Sequence, residues 1–343
     1  MERVPVLDLA RRAAALEPAL SAAIAAVLQR GVFLLGPETE AFEAEFAAFC
    51  GRRHAVAVSS GAEALRLSLR AMGIGPGDEV LVPALTAVPT ASSVVAAGAM
   101  PVFVDVERDT ATLDPAAAAA AVTDRTRAVV PVHLYGRRAT IPDLGLPVLE
   151  DAAQAHGATD PAAPSAAAAY SFYPTKNLGG IGDGGAVVTD DAALADLVRR
   201  LRNHDRGDDY DHALVTGNAR LSEVEAAALR VGLRRLAPDT ARRREVAAAY
   251  RAAAPDLWWP PESPHHSYHL CVTRVPDRDA WRASRPFDTA VHYSRALTQQ
   301  SGYQPYVRDA CPEAEAWAAE TVSLPCFPEI TDDEIEAVCR GLQ

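Results

Sequence analysis

Apolar positions in this chain recur in two alternating patterns. Spacings of three to four residues predict amphipathic helices, and runs of four to six apolar residues bounded by turn residues predict buried strands. Residues 8–30 read as one helix, broken at Gly31 and at Gly36 and Pro37. Residues 39–50 place Phe42, Phe46 and Phe49 at helical spacing, a stripe suited to core packing. Strands are predicted at 54–58, 79–83, 101–106 and 128–134, and helices at 62–72, 87–97 and 114–121. This alternation argues for an α/β fold with a mostly parallel sheet and helices on both faces.

Residues 147–149 and 169–172 add two short strands, and the connection 137–146 between them and the preceding strand is too short for a crossover helix. A helix is predicted from Asp191 to about Asn203, then a charged loop at 203–209 and a helix at 220–236. The character changes at Pro238. The expected division is a large domain at 1–238 and a small C-terminal α/β domain at 239–343. The latter has a linking helix at 240–254, a loop-like run with four prolines at 255–264, strands near 268–274, 290–292 and 322–324, and a last helix at 332–342.

With 343 residues, 49% of them hydrophobic, the chain can bury a large core. Its net charge of −12 disfavours an extended phosphate backbone as partner, so no nucleic acid is expected. No apolar run reaches bilayer length, and no membrane association is expected. The apolar stretch 20–28 follows Asp8 and Glu17, the opposite of a basic signal-peptide start, and reads as a core-facing helix. Five scattered cysteines without a CxxC suit a reducing cytoplasm and argue against a disulfide framework or a zinc site; no metal is expected.

The candidate chemistry lies between residues 148 and 185. One apolar run ends in Glu150 and Asp151, which is how a buried parallel strand delivers a carboxylate to its C-terminal edge. Side chains alternate along a strand, so one of the two acids must face away. The next strand leads to Lys176 and then to Gly179, Gly180, Gly182, Gly184 and Gly185. Desolvation there lowers a lysine pKa and exposes a neutral amine. An aspartate and a lysine on neighbouring strand ends meet the needs of pyridoxal 5'-phosphate: a carboxylate to keep the pyridinium nitrogen protonated and an amine to form the Schiff base. The strand at 54–58 runs through Ser59, Ser60 and Gly61 into a helix, an arrangement whose free N–H groups and dipole suit a phosphate.

EDAAQAHGA (150–158), SFYPTKNLGGIGDGGAVVTDD (171–191), VSSGAEAL (58–65), GDEVLVPALT (77–86), PVFVDV (101–106) and VVPVHLYG (129–136) together resemble the DegT/StrS-type nucleotide-sugar aminotransferases. These are pyridoxal-phosphate enzymes of the aspartate-aminotransferase fold, fold type I. The resemblance runs from about Val6 to about Leu342. It implies that Lys176 carries the cofactor and moves a proton during transfer, and that Asp151 is the pyridinium partner. It assigns Gln154 to the phenolic oxygen, His156 to a supporting role, and Ser171 with Ser60, Gly61 and Ala62 to the phosphate.

Two positions depart from the family pattern. Ala62 stands where a threonine is usual, which removes a charge-assisted bond of about 1.5–3 kcal/mol unless Ser60 or a water replaces it. Ala87, directly after Thr86, stands where most relatives have an aromatic that stacks on the ring. Asn218 reads by itself as a helix N-cap; the resemblance instead sends it across a homodimer interface to the partner's phosphate, giving two shared active sites. His292, Tyr293 and the loop with Gln299 and Gln300 are expected at the substrate mouth. The implied reaction moves an amino group from glutamate or glutamine to a ketone of a nucleotide-linked deoxysugar, in amino-sugar, natural-product or antibiotic biosynthesis. A keto-cyclitol such as a keto-inositol is the alternative substrate. A non-catalytic regulatory protein on the same fold is the alternative of another class, and it gives no reason to keep Asp151, Ser171 and Lys176 together. A dehydrating branch of the family lacks the lysine that is present here.

Overall fold

The computed structural model describes residues 3–158, 165–206 and 211–343. Helices α1 (Leu9–Leu16), α2 (Ala19–Arg30) and α3 (Pro37–Cys50) open the chain. The single helix expected at 8–30 is thus two helices. Pro18 has no N–H and its ring crowds the preceding turn, so the first helix stops at Leu16. Strand β1 (His54–Val58) follows, then α4 (Gly61–Ala71), β2 (Glu79–Pro83), α5 (Val88–Ala96), β3 (Met100–Val104), α6 (Pro115–Ala120) and β4 (Thr126–Val129). Strands β5 (Leu149–Asp151), β6 (Ala167–Ser171) and β7 (Gly185–Thr189) complete the main sheet, and α7 (Ala192–Leu201) and α8 (Glu223–Leu233) cover it. The remainder comprises α9 (Leu236–Ala253), β8 (Cys271–Arg274), α10 (Arg278–Ala283), α11 (Pro312–Glu320), β9 (Thr321–Leu324) and α12 (Asp332–Leu342).

β3, β2 and β4 pair in parallel, as do β5 and β6, while β7 runs antiparallel to both β6 and β1. Parallel bridges from Val129 to Val148 and from Val132 to Asp151 join the two groups. The strand order is therefore β3-β2-β4-β5-β6-β7-β1, mostly parallel.

The two-residue period sorts side chains onto the faces. Val56 and Val58 of β1, Ala167 and Ala169 of β6 and Val187 of β7 enter one hydrophobic cluster. Their neighbours Ala55, Ala57, Ala168, Tyr170, Ala186 and Val188 enter another, with Phe42, Phe46 and Phe172. Phe46 packs its ring edge-on against Tyr170 and Phe172. Truncating a fully buried phenylalanine of this kind costs about 3–5 kcal/mol.

No helix forms among residues 137–146. Ile141 and Leu144 of that connection instead pack, with Ala117 and Ala121, on Leu81, Val102, Val104 and Val148. The charged loop expected at 203–209 and the connection at 159–168 lie partly outside the described residues. α9 begins at Leu236, so Pro238 sits in a first helical turn, where its missing N–H costs nothing. The strand expected at 290–292 reduces to one bridge from Ala290 to Ser323. A third cluster gathers Val246, Tyr250, Phe287, Val322, Phe327 and Val338, and Val4 joins it from the other end of the chain. Among the described residues, no helix is long and apolar enough to cross a membrane.

Candidate active site

A cavity of about 340 Å³ opens at the C-terminal ends of β5 and β6 and the N-terminus of α4. Asp151, Gln154, Ser171 and Lys176 line it together with Ser60, Gly61, Ala62, Thr86 and Ala87. Tyr173 and Asp183, both exposed, complete its mouth. Eight of the residues singled out from sequence thus meet in one place: Lys176, Asp151, Gln154, Ser171, Ser60, Gly61, Ala62 and Ala87.

Asp151 ends β5. Its Oδ2 accepts a hydrogen bond from Thr90 Oγ1 (2.7 Å) and its Oδ1 one from the Ala153 N–H (3.1 Å). Thr90 spends its only proton on Asp151, so the 2.9 Å contact with Thr86 is donated by Thr86. Burial raises the Asp151 pKa above its ordinary value, against the pull of Thr90, Ala153 and Lys176. Burial likewise lowers the Lys176 pKa to about 8, with Asp151 opposing. Each group therefore resists ionising in the enclosed site. A cationic ring nitrogen beside Asp151 is what its carboxylate lacks.

The phosphate end is built by close approach. A Cβ on Gly61 would lie 2.6 Å from Ser171 Cβ, and one on Gly185 would overlap the main chain of Ser60. Only glycine lets the start of α4 sit this near β6 and β7. Ser60 caps α4 by accepting from the Glu63 N–H (3.1 Å), which leaves the first amides of the helix aimed at the cavity. An anion cradle at one end and an uncompensated buried carboxylate at the other fit pyridoxal phosphate.

Gln154 is held on both sides. Its Oε1 accepts from the Tyr135 N–H (2.6 Å) and its Nε2 donates to Tyr293 Oη (3.1 Å). Tyr135 takes a left-handed φ of 62°, rare for a bulky residue, and its hydroxyl donates to the His292 carbonyl (2.6 Å). These bonds tie the segment His292–Tyr293 to the cavity wall, although neither residue lines the cavity itself.

One residue stands off the cavity and one expectation is corrected. His156 does not line the cavity. Successive turns, Ala155 N–H to Ala152 and Ala158 N–H to Ala155, carry Gln154 forward and His156 back, among Phe46, Tyr170 and Phe172. Burial, then Lys176, lowers its pKa to about 3, so the ring is neutral. Asn218 is no N-cap: Ser222 caps α8, accepting from the Glu225 N–H (3.2 Å). Asn218 is exposed and accepts from Arg220 Nε (2.9 Å).

Thr90 was not singled out from sequence. Thr90 lies in the first turn of α5 and Thr86 before its N-cap, so helical spacing does not mark the pair.

The strand-end acid, the strand-end lysine and the capped anion cradle define a pyridoxal-phosphate aminotransferase of fold type I. A family model described as "DegT/DnrJ/EryC1/StrS aminotransferase family" matches residues 15–343, and the chain belongs to this family. It is 44% identical to a dTDP-3-amino-3,4,6-trideoxy-alpha-D-glucose transaminase of Streptomyces venezuelae, over 96% of this chain and 92% of that protein. It is 42% identical to the erythromycin biosynthesis sensory transduction protein EryC1 of Saccharopolyspora erythraea, over 99% of both. The crystal structure of S. venezuelae DesV in complex with a ketimine intermediate superposes with a TM-score of 0.95 at 42% identity, over 100% of this chain and 98% of that one.

Proposed function

We propose that this aminotransferase moves an amino group from glutamate or glutamine to the keto carbon of a nucleotide-linked deoxysugar. The observation that carries the reading is the convergence of Asp151 and Lys176 on one enclosed cavity. The identity to a transaminase named for a dTDP-linked trideoxyglucose supports the substrate class.

Pyridoxal phosphate, when bound, supplies a conjugated ring that takes up the electron pair of a broken bond at the amino-bearing carbon. Lys176 would hold the cofactor through Nζ. With its pKa near 8, the freed amine can take up and return a proton near neutral pH. Asp151 would hold a proton on the ring nitrogen, its Oδ2 oriented by Thr90. The hydroxyls of Ser60 and Ser171 and the first amides of α4 would hold the phosphate. Gln154, fixed between Tyr135 and Tyr293, would face the phenolic oxygen. His292 and Tyr293 would stand at the substrate side. The proposed assembly is a cytoplasmic homodimer in which exposed Asn218 reaches the partner's phosphate site.

The test is amine formation from a panel of dTDP- and UDP-linked keto-deoxysugars with glutamate or glutamine, read by mass spectrometry. Absence of amino sugar from every member overturns the substrate class. Borohydride should fix the cofactor on the Lys176 peptide, and a label on another lysine overturns the site. Lys176→Ala should still bind the cofactor but not turn over.

A further inference from the structure

Of the glycine-rich run after Lys176 only Asp183 lines the cavity, yet the loop meets two charged side chains from distant helices. Between β6 and β7 the chain leaves the sheet, and its carbonyls need donors from elsewhere. Arg12 of α1 supplies them: Nη1 donates to the carbonyls of Pro174 (3.2 Å) and Lys176 (2.8 Å), and Nη2 to those of Asn177 (3.2 Å) and Gly179 (3.1 Å). Among the described residues Arg12 has no carboxylate within ion-pair distance, so its fork is spent on this loop. The opposite pole of the loop faces Glu225 of α8. The N–H groups of Gly182 and Ile181 favour the ionised carboxylate, while burial raises its pKa. Glu225 Oε1 is buried without a hydrogen-bond partner.

Close approach to neighbouring atoms explains two of the glycines. Gly179 and Gly180 have no left-handed φ. A Cβ on Gly180 would overlap the Glu225 carboxylate, and one on Gly179 would overlap the Pro174 carbonyl and lie 2.9 Å from Arg12 Nη1. The Glu225 carboxylate excludes a side chain at Gly180, and the main chain of Pro174 in the same turn excludes one at Gly179.

We propose that Arg12 and Glu225 are positioning residues that grip the loop 174–182 at its carbonyl and amide poles and so fix where Lys176 Nζ points. A guanidinium presents its donors in one rigid plane, so four carbonyls bound to it are fixed relative to one another. Lys176 lies within that set, and its own carbonyl is one of the four. The inference rests on Lys176 being the reactive amine.

The test uses the full chain loaded with pyridoxal phosphate. It reads the pH midpoint of the cofactor's visible band, the cofactor dissociation constant, and Tm. Arg12→Gln should move the midpoint by at least about 0.5 unit and weaken cofactor binding about tenfold, because solvent reaches a loosened lysine. Arg12→Lys, which keeps the charge but not the fork, should fall between Arg12→Gln and the parent. A lower Tm with unchanged midpoint and affinity overturns the proposal. If Arg12→Gln does not fold, Glu225→Gln decides: a midpoint shift supports the grip, and an unchanged midpoint overturns it. A borohydride label on a lysine other than 176 in the parent protein would instead remove the underlying functional reading.

Discussion

Glu150 and Asp151 are neighbours on one strand, equally buried at 5% exposure, and they differ in everything else. Glu150 faces away from the cavity. Its Oε2 meets His133 Nε2 at 2.8 Å, its Oε1 accepts from Ser165 Oγ, and Arg52 Nη2 stands 3.6 Å away. His133 Nδ1 accepts from the Ala139 N–H (3.0 Å), so its Nε2 is the donor to Glu150. Burial pushes the Glu150 pKa up, but His133, Ser165 and Arg138 outweigh it and the net shift is down. Asp151 has one hydroxyl and one amide, and burial wins. Thus burial does not distinguish a structural from a functional acid here. Completion of the partner set does.

The signs of the two shifts give the first and largest prediction. A lowered carboxylate contributes stability that is present above its unfolded pKa and lost as pH falls through the folded value. A raised one contributes stability below its unfolded pKa that is lost as pH rises through the folded value. Asp151→Asn should therefore leave the cofactor-free protein at least as stable as the parent at pH 7. Turnover should fall about 10²–10³-fold through lost electrostatic support of the ring nitrogen. Steady-state kinetics and chemical denaturation of the same preparation check both halves. A marked loss of stability would make Asp151 a second structural acid.

Glu150→Gln is the converse experiment. It leaves His133 and Arg52 facing a neutral amide, and should cost about 1–3 kcal/mol of stability with kcat within a few-fold of the parent. The deficit should be full near neutral pH and shrink as pH falls from about 4.5 towards the lower folded pKa, since the unfolded parent then protonates first. A pH-independent deficit would mean that packing, not charge, holds Glu150.

Much of this arrangement was legible in the sequence. The alternation that sends Val56 and Val58 to one face and Ala55 and Ala57 to the other is a local property, and so is the rule that Glu150 and Asp151 diverge. Lys176 and the start of α4 were marked by the chain on either side of them. What was not legible depends on contacts distant in sequence. Glu223 caps α3 from more than 180 residues away, accepting from the N–H groups of Gly36, Glu38 and Thr39. Arg12 grips a loop more than 160 residues away. Pro18 divides a stretch whose apolar periodicity continues on either side, and two turns in EDAAQAHGA decide the direction of His156.

Thr90→Val sharpens the comparison from the side of Asp151. It removes the 2.7 Å bond to Oδ2 and strands the Thr86 hydroxyl, while nearly preserving volume. Loss of a hydrogen bond to a charged group should raise the Asp151 pKa by about one unit. The acid limb of the kcat/KM profile should move to higher pH by that amount, with turnover at high pH little changed. An unmoved acid limb would assign that limb to another group.

The smallest expected effect lies on the open wall of the cavity. Ala87 lines it just before α5, and its methyl group offers no ring to stack against. A stacked aromatic contributes about 0.5–1.5 kcal/mol beyond the area it buries. Ala62 adds no hydroxyl at the phosphate end, so both departures weaken cofactor retention in the same direction. Partial loss of cofactor on dialysis is the expected behaviour of the parent. Ala87→Tyr should tighten pyridoxal phosphate by up to about tenfold, equivalent to about 1.4 kcal/mol. Titration of both cofactor-free proteins, followed through the visible band, checks the change. Weaker binding in the variant would mean that the space above the ring is already needed by another side chain or by substrate. Asp151 would then face a cavity more nearly filled than its short list of partners implies.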